Sequence, residues 1–153
     1  MEETKRAIAD ELLREHEVER GIVRQLELLV EEGGLVGQES EWGRRMCDEL
    51  SAFRRHLQRH FALEEEGGFM LEVVARMPQA SEQVEKLRQE HGETLKVIDE
   101  LIHDSSLLAY GTSLSLAELR NRILEVFSTI RRHEAEENEL IQQIFYQEVS
   151  VAD

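Results

Sequence analysis

Residues 115–147 read SLAELRNRILEVFSTIRRHEAEENELIQQIFYQ, and this stretch decides the fold. Leu119, Ile123, Val126 and Ile130, followed by Ile141 and Ile144, recur three or four apart. That spacing puts them on one face of an α-helix. His133 and Glu137 continue the same face. A stripe that should be apolar to fill a core therefore carries an imidazole and a carboxylate one turn apart. Ser115 with Glu118 forms a capping box and marks the helix start.

The pattern repeats upstream. Breakers at Gly33-Gly34 with Gly37, Gly67-Gly68, Pro78 and Gly111 separate four amphipathic segments, near 4–32, 39–66, 80–108 and 115–147. A short helical piece at about 69–77, ended by Pro78, links the second segment to the third. Short connections make neighbours antiparallel, so the expected fold is all-α: an up-down-up-down antiparallel four-helix bundle, one domain over residues 1–153.

Composition agrees. The 153 residues include one proline and few aromatics, which favours helices over strands. Lys and Arg number 18 against 33 Asp and Glu, a net charge of −15. Such a surface repels phosphate backbones and anionic membranes, so nucleic acid and membrane are not expected partners. Cys47 is the one cysteine, is expected to pack, and forms no intrachain disulfide. The charged stretch Met1–Arg6 lacks the apolar core of a signal peptide, and no apolar run reaches spanning length, so a cytoplasmic location is expected.

Each predicted stripe is interrupted. The first reads Leu12, His16, Glu19, Val23, Leu26, Val30, and the second Trp42, Met46, Phe53, Leu57, His60, Glu64. The third reads Val84, Leu87, His91, Leu95, Ile98, Ile102. A lone core histidine is usually just hydrogen-bonded, but four coinciding with carboxylates need a common reason, since unpartnered burial is costly. At about 1.5 Å rise per residue the groups fall within one layer, except that His60 comes out about two turns low. His60–Glu64 and His133–Glu137 are i, i+4 pairs projecting from one face. Such a pair can bind one metal ion or two adjacent ones, and helix bundles build dinuclear carboxylate sites this way. Imidazole with carboxylate suits iron or manganese, and zinc less exclusively.

The stretches Arg14-Glu-His16-Glu, His60-Phe-Ala-Leu-Glu64-Glu65-Glu66, Gln89-Glu-His91-Gly-Glu93 and Arg132-His133-Glu-Ala-Glu-Glu137-Asn138 resemble the four ligand-bearing helices of hemerythrin-like (HHE cation-binding) domains. The resemblance implies two iron ions with an oxo or hydroxo bridge. It implies His16, His60, His91 and His133 as terminal ligands and Glu64 and Glu137 as bridges. It also implies a small ligand such as dioxygen, peroxide or nitric oxide. The chain departs from the oxygen carriers, which pair two histidines one turn apart on the third helix; Leu87 and Leu95 stand there in this sequence. Asn138 also replaces their aspartate. These departures argue against reversible dioxygen carriage and for a more open site suited to redox reaction or iron sensing.

Several residues stand near the set. His56, one turn before His60, is a fifth ligand or, as expected here, an outer or solvent-facing histidine beside Arg55 and Arg59. Glu19 is a partner orienting an imidazole, a partly exposed ion-pair residue or, last, a ligand. Glu65, Glu66, His103 and Arg132 are expected in solvent, and Tyr110, Trp42, Phe53, Phe127 and Phe145 in packing. Three functions compete: a di-iron sensor or store, a di-iron redox enzyme acting in peroxide decomposition or iron-centre repair, and a zinc-bound or metal-free helical interaction domain. No tyrosine lies on a core stripe to serve the enzyme as proton donor.

Overall fold

A computed structural model describes residues 2–33, 37–111 and 115–147. Among these, α1 (Glu2–Glu32) is followed by α2 (Glu39–Glu66). A short α3 (Phe69–Arg76) and a 3-10 turn (Pro78–Ala80) then lead into α4 (Ser81–Ala109). The last helix, α5 (Leu116–Ile141), runs on into a π-helical turn (Gln142–Gln147). The four long helices form the antiparallel four-helix bundle. The predicted segments match them within a few residues, except that the α-helical ladder of the last stops at Ile141. Gly34 lies outside the described residues.

The ends follow from local chemistry. Glu118 N donates to Ser115 Oγ at 3.2 Å, the N-cap bond predicted from the sequence. Gly68 opens α3 at φ +96°, a left-handed conformation that glycine adopts without strain. The last carbonyls of α1 need partners that the helix cannot give. Trp42 Nε1 donates to Leu29 O at 2.6 Å, and Arg120 Nε donates to Val30 O at 2.9 Å.

The apolar interior comes in two pieces. One contains Val23, Leu26, Val30, Trp42, Met46, Leu50, Phe53, Leu57, Ile98, Leu101, Ile123, Phe127 and Ile130. The other contains Ala9, Leu12, Phe69, Val73, Val84, Leu87, Leu140, Ile141, Ile144 and Phe145. Between them runs a layer of buried polar side chains: His16, Glu19, His60, Glu64, His91, His133, Glu134 and Glu137. On α1, α4 and α5 the polar residues separate one apolar set from the other, as Leu12 and Val23 flank His16 and Glu19 on α1.

Three sequence expectations need correction. On α4 the buried face is Val84, Leu87, His91, Thr94, Ile98, Leu101, Ser105 and Leu108. Leu95 and Ile102 are half-buried flankers of the first core. Thr94 and Ser105 hold the inward positions, which a search for apolar residues passes over. His60 is level with the other histidines, not two turns low. The helix ends are staggered: α2 stops early, and α3 with its 3-10 turn fills the space beyond, with Phe69, Met70, Val73 and Ala80 in the second core. Tyr110, expected to pack, is 86% exposed. Trp42, Phe53, Phe127 and Phe145 are buried as expected.

No described helix is long and apolar enough to cross a membrane.

Candidate metal centre

The i, i+4 spacing on α2 and α5 aims His60 with Glu64, and His133 with Glu137, into the polar layer. His16 comes from α1 and His91 from α4. Six residues that could offer ligand atoms form two overlapping groups, His16, His60, Glu64, Glu137 and Glu64, His91, His133, Glu137; within each, the atoms on offer all lie within 4.8 Å of one another. Glu64 and Glu137 belong to both. His60 Nε2 is 3.1 Å from Glu64 Oε1, and His16 Nε2 is 3.3 Å from Glu137 Oε1. On the other side His133 Nε2 is 3.2 Å from Glu137 Oε2. His91 Nε2 lies 3.5 Å from both Glu64 Oε1 and Glu137 Oε2.

Each imidazole turns its other nitrogen outward to a partner on a neighbouring long helix. His60 Nδ1 faces Glu15 Oε1 of α1 at 3.3 Å, and His91 Nδ1 faces Glu65 Oε2 of α2 at 2.8 Å. His133 Nδ1 faces Glu90 Oε1 of α4 at 2.8 Å, and His16 Nδ1 faces Asn138 Oδ1 of α5 at 2.6 Å. An Nδ1–H donating to such an oxygen leaves Nε2 unprotonated and aimed inward, as metal-binding histidines require. Phe61 stacks on the His91 ring at 4.0 Å between centroids and 9° between planes, which further fixes that ring.

The electrostatics are strained without a cation. Burial, then the neighbouring Glu137, pushes the Glu64 carboxyl well above the ordinary range. Burial pushes Glu137 upward too, but its close contacts with Glu64, His133, His16 and His91 outweigh it and hold Glu137 well below that range. Burial lowers His16 and His133, yet contact with Glu137 leaves both raised overall. Burial dominates at His60, which is lowered. All four carboxylate oxygens of Glu64 and Glu137, and Nε2 of His91 and His133, are buried without a hydrogen-bond partner. Buried polar atoms are rarely left so. A donor set of imidazole nitrogens and shared carboxylate oxygens fits divalent or trivalent cations held between the helices.

The family model for the hemerythrin HHE cation-binding domain matches residues 7–145. The chain belongs to this hemerythrin family. No curated protein and no solved structure matches it. Membership in the HHE family supports metal binding, and the buried histidine and glutamate cluster fits a metal site.

Other sequence-predicted residues of this HHE domain fall outside the two groups. His56 is half-buried, its Nε2 3.4 Å from Glu19 Oε1. Glu19 is buried and its Oε1 also stands 3.8 Å from His60 Nδ1. Neither belongs to a cluster of potential metal ligands. His103, Arg132 and Glu66 are exposed, as expected. Glu65 is a correction: it turns back to His91 and does not simply face solvent. Its signal, like that of Glu15, Glu90 and Asn138, was adjacency to a ligand position with a polar oxygen to offer. Glu134 was missed altogether. It is buried beside Glu19, and burial with the hydrogen bond to that second carboxyl pushes it up to about 10. Glu19 is held down despite burial, chiefly by its contacts with His56 and Glu134.

Proposed function

We propose that this HHE domain is a non-haem di-iron protein that handles a small ligand, dioxygen, peroxide or nitric oxide, or iron itself, as sensor or store. His16 and His60 would hold one ion and His91 and His133 the other, with Glu64 and Glu137 shared between them. The observation that carries the reading is that sharing: two four-residue groups overlap in both carboxylates and in nothing else. Two shared carboxylates offset the charge of two close cations, whereas one ion held by either group would leave two of the six residues unused. Iron so ligated supplies redox change and affinity for small oxygen- or nitrogen-containing molecules.

The decisive experiment is metal analysis of protein produced with iron, followed by optical titration with nitric oxide and peroxide. About two irons per chain and spectral change with either ligand are expected. Stoichiometric zinc, or no metal under iron-replete conditions, overturns the reading in favour of a structural interaction domain.

A second reading, a di-iron redox enzyme acting on peroxide, gains support from Glu134. Tyrosine is absent from the predicted stripes, but this buried carboxyl, pushed up to about 10, holds a proton at neutral pH beside the centre. Sustained peroxide turnover, rather than a single stoichiometric reaction, distinguishes the enzyme from the binder.

A further inference from the structure

A surface groove and a small internal cavity lie next to each other on the α4–α5 side of the bundle. A groove of about 360 Å³ opens between α4 and α5, with Glu90, Glu93, Thr94, Val126, Thr129 and Arg132 among its walls. Inside, against the proposed centre, is a cavity of about 10 Å³ bordered by Leu57, Phe61, Thr94, Ile130, His133 and Glu134. That volume suits one water-sized molecule. Thr94 is the one residue that borders both spaces. It is 6% exposed and sits one turn below Ile98 on the inward face of α4. Leu87, Ile98 and Leu101 fill the same face with larger apolar side chains, so Thr94 is the thin point of the wall. Glu19, His60 and Glu137 line the cavity as well, and Glu134 Oε1, His133 Nε2 and both Glu137 oxygens are buried without hydrogen-bond partners, so an incoming molecule meets polar atoms on the side of the centre and apolar walls elsewhere.

We propose that Thr94 is the gate through which a ligand of one or two heavy atoms passes from the α4–α5 groove into the cavity beside His133 and Glu134. This rests on the reading of the six buried residues as a metal centre. The size of the cavity excludes larger substrates, and rotation of the Thr94 side chain is the smallest movement that joins the two spaces. The ligand class is therefore a diatomic or water-sized molecule, and selection is by size at one side chain of α4.

Three substitutions test the gate: Thr94→Ser to widen it, and Thr94→Leu and Thr94→Phe to close it. In metal-free protein, dissolved dioxygen relaxes the methyl protons that it can reach. The expected result is strong relaxation at Leu57 and Ile130 in the wild type. It should fall severalfold with Leu or Phe at position 94, with Leu12 in the second core unchanged as a control. In metal-loaded protein, the association rate of nitric oxide should fall at least tenfold with Leu or Phe and rise with Ser, at equal metal content. A merely structural role for Thr94 would not give opposite signs for smaller and larger side chains. Relaxation and association rates within twofold of wild type in folded Leu and Ser variants overturn the gate. If the wild type takes up no metal, the di-iron reading fails, and the methyl relaxation still decides the gate by itself.

Discussion

Glu65 of α2 accepts a hydrogen bond from His91 Nδ1 of α4 at 2.8 Å, and the same relation repeats round the bundle until it closes. Glu15 of α1 serves His60 of α2, Glu90 of α4 serves His133 of α5, and Asn138 of α5 serves His16 of α1. Each long helix thus brings a histidine to the centre and steadies the histidine of the next. The supporting residue always neighbours an inward one in sequence: Glu15 precedes His16, Glu90 precedes His91, Glu65 follows Glu64 and Asn138 follows Glu137. One turn of sequence on each helix therefore does both jobs, and the four helices are oriented by one another through the ring.

Glu64, Glu65 and Glu66 are consecutive, so one helix turn offers three graded tests. Glu64→Ala removes a shared carboxylate and should abolish binding of at least one ion. Glu65→Ala removes the oxygen that orients His91 and should weaken metal affinity by about 10–100-fold. Glu66→Ala alters an exposed residue and should leave affinity unchanged. Isothermal titration with a divalent ion of the same class reads all three; equal losses for Glu65→Ala and Glu66→Ala would remove the ring from the account.

Much of this was legible in the sequence because two signals coincide on the same residues. The helical period identifies inward positions, and His16, His60, Glu64, His91, His133 and Glu137 break that period with polar groups. What was not legible depended on the third dimension. Glu134 sits next to His133 on the helix, and only the crossing of α1 shows that it meets Glu19. Thr94 and Ser105 look like surface residues until α4 is rotated by the packing of α2. The level of His60 was misjudged because staggered helix ends cannot be read from helix lengths. The outward partners of the histidines come from adjacent helices, so sequence neighbourhood hints at them but cannot pair them.

Metal loading should raise thermal stability, because the ions bind the folded arrangement and relieve buried, unpartnered oxygens. At a free ion concentration a hundredfold above Kd, the linkage is about 2.7 kcal/mol. For a domain of this size that corresponds to about 5–10 °C in Tm. Differential scanning calorimetry before and after chelation measures the shift. A Tm indifferent to chelator, in protein shown to have carried metal, would place the ions outside the core.

Two helix-interior glycines should respond to alanine with opposite signs. A Cβ on Gly43 would stand 2.8 Å from Ser105 O and 2.9 Å from Ala109 N, both backbone atoms of the facing α4 segment. Neither can yield cheaply, so Gly43→Ala should destabilise the fold by about 1–3 kcal/mol. A Cβ on Gly21 meets nothing within 4 Å, and Gly21→Ala should stabilise α1 by about 0.5–1 kcal/mol. Urea denaturation of the two variants compares them directly. Matching shifts of the same sign would contradict the close approach of α2 to α4.

Finally, rising pH should act in opposite directions on the stability of the metal-free protein and on its affinity for metal. His16 and His133 have pKa values raised above 6.5 in the metal-free fold, and Glu64 is raised well above 4.5. A raised folded value stabilises the fold fully below the unfolded value for a histidine, and that contribution is lost as pH climbs through the folded value. The Glu64 shift has the same sign, because the fold holds a proton that the unfolded chain has released. Glu137, held low, contributes only on the acid side, and His60, lowered, acts below its ordinary value. Above about pH 6.5, then, the Tm of metal-free protein should fall as pH rises. Metal ions take the unprotonated imidazoles and carboxylates, so loading expels these protons and affinity strengthens over the same range. The gap between the two melting temperatures should widen from pH 6.5 upward, and an indicator dye in weak buffer at pH 7 should record proton release on loading. Proton uptake, or a gap that narrows with rising pH, would mean that the ions bind somewhere other than His16, His133 and Glu64.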